Sequence, residues 1–450
     1  ANLCSVFDAA WTALTEAEKA AMTRLTVFRG GFTEVAARDV ADVDRPLLLA
    51  LRNRSLLDLD ASGRFGWHPL LGAYLRLRTD LDALEPIRER HARYFMELLA
   101  RCEGAEKSWD TRDPIAALTA EHANLEAAWV KAVEAGWWEM LAHAGTMYRL
   151  SYESVGRPAR WAEQLRHALA SVPRDTVPWA LLECHESSLL LSAGRFQEAY
   201  ERRAAAVTVL RTHADSEPCP LGRGLLLLSE PAWSLDRPAE ARAEIQEAID
   251  VFERAGRHDL LGLAYDRMLA VSESPRDHEH WYATTTEWRA ENRDAPDEAV
   301  AITIRSRYLS RVYGEHDRAV ATVNAALALD RGAHGYRQRV AETLLTAAEI
   351  HADAGHLETA ADHVEQYLRG SSPGSSSSPG PSSSPGPSSN PGAGWSWNVH
   401  PVANRAGPGE PLALKAHLAI LRGDEDVEWS LGPTTAAACT HRGLLLRAET

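Results

Sequence analysis

Apolar residues recur three and four positions apart along most of the chain, with alanine abundant among them, and this spacing predicts helix almost throughout. The first eighty residues depart from it. Thr15 and Glu18 form a capping box for a helix running to about Leu25. Thr33 caps a second helix through Ala41, and Asp44 with Pro46 starts a third that ends near Asn53. The period then changes. Leu56, Leu57 and Leu59 precede the polar turn Asp60-Ala61-Ser62-Gly63, and Arg64 to His68 return as the second strand of a β-hairpin. A helix from Pro69 to about Thr79 completes a winged-helix-like unit over residues 1–80.

Residues 81–175 read as an all-helical arm. Pro86 opens one helix. Asp113-Pro114 opens the next, which Gly136 ends with C-cap chemistry. Trp129, Trp137, Trp138 and Met140 fall close together there and are expected to pack between helices.

A repeat emerges over 176–369. Four segments share a tight turn followed by a helix start: Ala193-Gly194-Arg195 with Ala199, Leu235-Asp236-Arg237 with Ala241, Tyr313-Gly314-Glu315 with Ala319, and Ala354-Gly355-His356 with Ala360. The small Ala recurs after 42, 78 and 41 residues, so a degenerate unit around Pro275 to Ala283 fills the middle gap. A weaker unit starts at Trp138 and passes Gly156 to Ala168. The turn resembles that of the tetratricopeptide repeat, whose period is nearer 34; the longer period also fits a HEAT-like array. The expected fold is mainly α: a small winged-helix domain, a helical arm, and a stacked, curved solenoid of tetratricopeptide-like repeats whose first helices line a concave face.

Residues 370–394 are dominated by Ser, Pro and Gly, which cannot bury enough apolar surface to order the segment. They are expected to form a tether spanning about 25–30 Å. In the tail, 395–450, Glu410-Pro411 and Gly423 bracket one helix, which fits a displaced repeat helix.

Length and charge narrow the function. The chain has 450 residues, which at about 150 per domain suggests about three domains. The net charge is −15, and residues 1–80 carry ten basic and ten acidic side chains. Neither offers the basic face of a DNA reader, so no direct nucleic-acid contact is expected. Only Lys19, Lys107, Lys131 and Lys415 are lysines and none follows glycine, so the span has no Walker loop. Five widely spaced cysteines without a C-x-x-C pair argue against a disulfide framework or a zinc site, and a reducing cytoplasm is the simplest compartment. Neither a signal peptide nor a membrane span is visible, and the missing initiator Met suggests a fragment or processed chain.

Catalytic chemistry is expected to be absent. Gly370-Ser371-Ser372-Pro373-Gly374 spells a nucleophile elbow but opens the tether rather than joining a strand to a helix. His278-Glu279-His280 lacks metalloprotease spacing and is expected in a surface turn. His68, at a strand-to-helix junction, can donate a hydrogen bond to an oxyanion, or simply cap the helix.

Several segments then fall in a telling order: Trp11, Leu14, Glu18, Leu25, Val27-Phe28 and Gly30-Gly31-Phe32; Ser55-Leu56-Leu57; Trp67-His68-Pro69-Leu70-Leu71; Arg90-His91-Ala92-Arg93-Tyr94-Phe95; and Glu121-His122-Ala123-Asn124-Leu125-Glu126-Ala127-Ala128-Trp129. Together they resemble the region following the nucleotide-binding module in bacterial signal-transduction ATPases with numerous domains, a group that includes NB-ARC-type regulators and relatives of the maltose regulon activator. The resemblance spans roughly residues 5–370. It implies a winged helix whose Met-His-Asp-like motif contacts bound ADP in the resting state. His68 matches that His, while Trp67 stands for the Met and Pro69 for the Asp.

The resemblance further implies a non-catalytic regulatory and sensor region. ADP or ATP would sit on a module upstream, the winged helix would transmit autoinhibition to it, and the resting form would be a monomer. An inducer, whether protein, peptide or small molecule, would bind the repeats and release self-association. Aromatics and arginine are enriched at binding hot spots. The candidates on first helices are Tyr148, Tyr152, Trp179, Glu183, Arg223, Trp233, Tyr265, Arg305 and Tyr308, the last two sharing a helical face. The alternatives are a free-standing tetratricopeptide scaffold for protein partners and the regulatory end of an enzyme such as a nucleotide cyclase.

Overall fold

The computed structural model describes residues 3–78, 83–105, 114–155, 157–292, 298–332 and 337–370. Among these residues the chain is mainly α, with twenty helices and one two-stranded sheet. It divides into two compact units, Ala1–Val172 and Pro173–Thr450. The Ser/Pro/Gly tether and the tail helix expected from the sequence lie outside the described residues.

The first unit opens with α1 (Leu3–Thr12), α2 (Glu16–Leu25), α3 (Glu34–Ala41) and α4 (Arg45–Asn53). The capping box at Thr15 forms in both directions, and Thr33 and Asp44 accept from the third amides of their helices. Strands β1 (Asp58–Leu59) and β2 (Phe65–Gly66) pair antiparallel, and Phe32 bridges to Phe65. Gly31 permits that bridge: its φ is +97°, and a Cβ there would lie 2.9 Å from the Phe65 carbonyl oxygen. Helix α5 (Pro69–Arg78) follows. Four of the chain's seven phenylalanines, Phe28, Phe32, Phe65 and Phe95, meet in one core, with Phe28 and Phe32 stacked at 4.7 Å.

The arm begins with α6 (Glu85–Ala105), which packs on α3. The sequence predicts one helix from Pro114 to Gly136, but the structure has two, α7 (Pro114–Ala120) and α8 (His122–Glu134). The interruption is Glu121, whose carboxylate is drawn into the contacts described below. Helices α9 (Trp138–Ser154) and α10 (Pro158–Ser171) close the unit as a hairpin.

The second unit stacks five helix hairpins: α11 (Val177–Ser192) with α12 (Phe196–Thr212), α13 (Pro218–Ser234) with α14 (Pro238–Arg254), α15 (His258–Ala270) with α16 (Pro275–Asn292), α17 (Glu298–Arg311) with α18 (His316–Gly332), and α19 (Arg337–Asp353) with α20 (Leu357–Gly370). The second helices start 42, 37, 41 and 41 residues apart. Helices of mostly 16–17 residues account for a period above 34. The hairpin turns are left-handed where the sequence places them: Gly194, Asp236, Gly314 and Gly355 have φ between 61° and 79°. The small Ala that follows each, at 199, 241, 319 and 360, is fully buried.

Candidate functional site

In the first unit the geometry converges on Asn124, fully buried on α8. Its Oδ1 accepts from the Arg29 amide at 2.6 Å and from His91 Nε2 of α6 at 3.2 Å. Its Nδ2 donates to the Gly31 carbonyl at 2.9 Å and to Glu121 Oε2 at 2.7 Å. Arg64 of the hairpin grips Glu121 with both terminal nitrogens. One amide therefore ties the Arg29–Gly31 turn to α6 and α8, and Glu121 adds the hairpin. Burial holds the His91 pKa down to about 4, so the ring stays neutral and donates through Nε2.

His68 is exposed, at the start of α5. Its Nδ1 accepts from the Leu70 amide at 3.3 Å. That bond leaves Nε2 as the ring nitrogen available to donate.

In the second unit, Arg305 and Tyr308 come together with residues of α16. Arg305 is ion-paired to Glu279 at 2.5 Å and lies over Tyr282 and Tyr313, 5.1 and 5.8 Å from the ring centroids. Tyr313 donates to the same carboxylate at 3.1 Å. Tyr308 stacks on the buried His278 ring at 3.7 Å. Tyr265 of α15 reaches the same helix through Trp281 at 6.0 Å. His278-Glu279-His280 therefore lies within α16, with His278 buried, and not in the surface turn expected of it.

The other candidates disperse. Tyr148 and Tyr152 are fully buried in α9 of the first unit, Tyr148 stacked on Trp129 at 4.0 Å and their hydroxyls 3.2 Å apart. That core position removes them from any ligand-facing surface. Trp179 and Glu183 sit half-buried on α11, Glu183 paired with Arg202 of α12 at 2.5 Å. Arg223 and Trp233 are half-buried on α13. Among the described residues no cluster of three His, Cys, Asp or Glu could hold a metal, and no helix is long and apolar enough to cross a membrane.

The fold has a counterpart among solved structures. A signal-transduction ATPase with numerous domains that carries a tetratricopeptide-repeat sensor, from Pyrococcus horikoshii, superposes with a TM-score of 0.54 at 12% identity over 82% of this chain. The fold is that of a helical repeat protein similar to this one. The chain spans about half, 53%, of that protein's length. Aspartyl phosphate phosphatase F from Bacillus subtilis covers 67% of the chain, and 76% of its own length, at 13% identity and a TM-score of 0.43, too low to bear on the fold. No family model matches the sequence, and no curated protein does.

One recurrence escaped the sequence reading, which singled out only its Tyr308. Eight positions before each second helix of the repeats stand Ser188, Glu230, Arg267, Tyr308 and Glu349, all polar and none exposed. Fully buried Arg203 of α12 joins the first two, donating from Nη2 to Ser188 at 2.9 Å and pairing with Glu230 at 3.1 Å. Arg289 pairs with Asp266, the neighbour of Arg267, at 2.5 Å, and Arg311 reaches Glu349 at 2.9 Å. A polar residue recurring at one fixed distance before each second helix was the available signal.

Proposed function

We propose that this chain is the regulatory and sensor region of a signal-transduction ATPase, itself without catalytic activity and working in the cytoplasm. The observation that carries this reading is the likeness of fold, over four-fifths of the chain, to an ATPase of that class with a repeat-built sensor. In this reading residues 1–80 act as a winged helix against an upstream module that holds ADP or ATP, and His68 offers its Nε2 to a phosphate oxygen. The repeats bind the inducer, and the Arg305–Tyr308 cluster is the favoured contact because the candidates Arg305, Tyr308 and Tyr265 all pack against α16. Inducer binding favours an open, ATP-bound, self-associating form over a closed monomer.

The test uses the protein carrying its upstream module. With His68→Ala, bound ADP should dissociate about tenfold faster, the effect of losing one charge-assisted hydrogen bond. Release at the unaltered rate removes His68 from the switch. The helical-repeat fold by itself also suits a free-standing scaffold. Capture of a stable protein partner, with no nucleotide bound upstream, would favour that reading.

A further inference from the structure

Beside the hairpin of the first unit lies a hollow of about 520 Å³, within the range of small-ligand sites. Its walls are the Arg29–Gly31 turn, both strands and α5, so it belongs wholly to this unit. Three arginines line it. Arg64 is committed to Glu121. Neither the Arg29 nor the Arg76 guanidinium has a hydrogen-bond or ion-pair partner among the described residues. The charge of Arg76, with that of Arg88, instead adds to burial in disfavouring the cationic form of Arg29.

The two carboxylates on the wall do not relieve this crowding. Asp60 accepts from Ser62 and from the Arg64 amide, and Asp58 bonds to neither free arginine among the described residues. The turn that carries Arg29 is held in place: its amide donates to fully buried Asn124, which in turn donates to the Gly31 carbonyl. On the other wall Trp67 lies across Gly72, where a Cβ would fall 2.5 Å from the indole nitrogen and 3.4 Å from Arg76 Nη1. Gly72 thus allows the indole N–H and the Arg76 guanidinium to sit side by side. Two free guanidiniums and an indole N–H are donors only, and an acceptor-only group of high charge is what completes them.

We propose that this hollow binds a phosphoryl anion, with Arg29 and Arg76 as its charged arms and Trp67 as its third donor. This goes beyond the reading above, which places a nucleotide on a separate module. It needs no such module, so the two stand or fall separately.

The 450-residue chain is titrated calorimetrically with inorganic pyrophosphate and with phenyl phosphate. Binding is expected for at least one of them. Arg29→Gln with Arg76→Gln should weaken it at least about tenfold, and the two Lys variants should recover part of it, since they keep the charge without the planar fork. Arg29 is exposed and Arg76 half-buried, and unchanged circular dichroism confirms that the variants fold. Tighter binding of pyrophosphate identifies a bare polyanion as the ligand. Tighter binding of phenyl phosphate identifies a phosphate ester whose ring lies against Trp67 and Phe65. Heats no larger than dilution for both probes at millimolar concentration overturn the proposal, as does binding that the double Gln variant leaves unchanged.

Discussion

Both units bury polar side chains, but they bond across very different stretches of chain. Asn124 reaches Arg29 and Gly31, 95 and 93 residues away, and its four contacts close a loop between the hairpin region and the arm. In the repeats the corresponding contacts are short: Arg203 to Ser188 spans 15 residues, Arg203 to Glu230 spans 27, Asp266 to Arg289 spans 23, and Arg307 to Thr346 spans 39. Each links one hairpin to itself or to the next. The first unit uses a buried amide for long-range closure. The second uses buried charge to set the register of neighbours, as a quasi-one-dimensional stack requires.

The comparison is broken most strongly at Arg203. Arg203→Met takes from the buried Glu230 carboxylate the guanidinium paired with it at 3.1 Å, and the expected loss is about 3–5 kcal/mol in denaturant unfolding. In a nearest-neighbour stack the damage stays local, so amide exchange should quicken in α11 to α13 while α19 and α20 keep their protection. Uniform loss of protection across all five hairpins would show that the stack unfolds as one block.

Asn124→Leu comes next, at about 3 kcal/mol. It orphans the Arg29 amide, the Gly31 carbonyl and part of the Glu121 carboxylate in one step. Here the effect should spread. Exchange at Phe32 and Phe65, which bridge through 2.8–2.9 Å hydrogen bonds, should quicken although neither touches the mutated side chain in sequence. Protection confined to its normal level at that bridge would mean that the hairpin does not depend on the arm.

The same difference in contact range governs how much could be read in advance. Short-range features were legible. The capping box at Thr15, the hairpin turn at Asp60–Gly63, and the left-handed turns at Gly194, Asp236, Gly314 and Gly355 depend on a few adjacent residues, and each follows from local chemistry. The segments around His91 and Asn124 were visible as motifs, but their meeting depends on closure over more than ninety residues, which no periodicity encodes. Tyr148 and Tyr152 show a related limit. Spacing places them on a helix, yet only packing against Trp129 decides that they face the core. Arg305 and Tyr308 share a face by spacing alone, whereas Glu279, Tyr282 and Tyr313 join them only because α16 and the Tyr313 turn fold back onto α17.

The smallest expected effect probes a buried carboxyl whose surroundings favour its protonated form. Glu244 on α14 is buried, and one of its carboxylate oxygens has no hydrogen-bond partner. Burial, reinforced by Glu240 and Glu247, pushes its pKa up to about 8, with Arg211 pulling the other way. The folded state therefore holds this proton more tightly than the unfolded chain does. The resulting stability is present below the ordinary carboxyl range and fades as pH rises from about 4.5 through 8. His91 in the first unit has the opposite slope: its pKa falls to about 4, so its contribution is lost as pH drops from 6.5 toward that value. Glu244→Gln keeps the shape and removes the titration. It should raise stability by about 1 kcal/mol at pH 8.5 and change little at pH 5, read from paired denaturation curves. An equal effect at both pH values would mean that the carboxyl is already ionised in the fold, and that α14 tolerates its charge beside Glu240 and Glu247 without uptake of a proton.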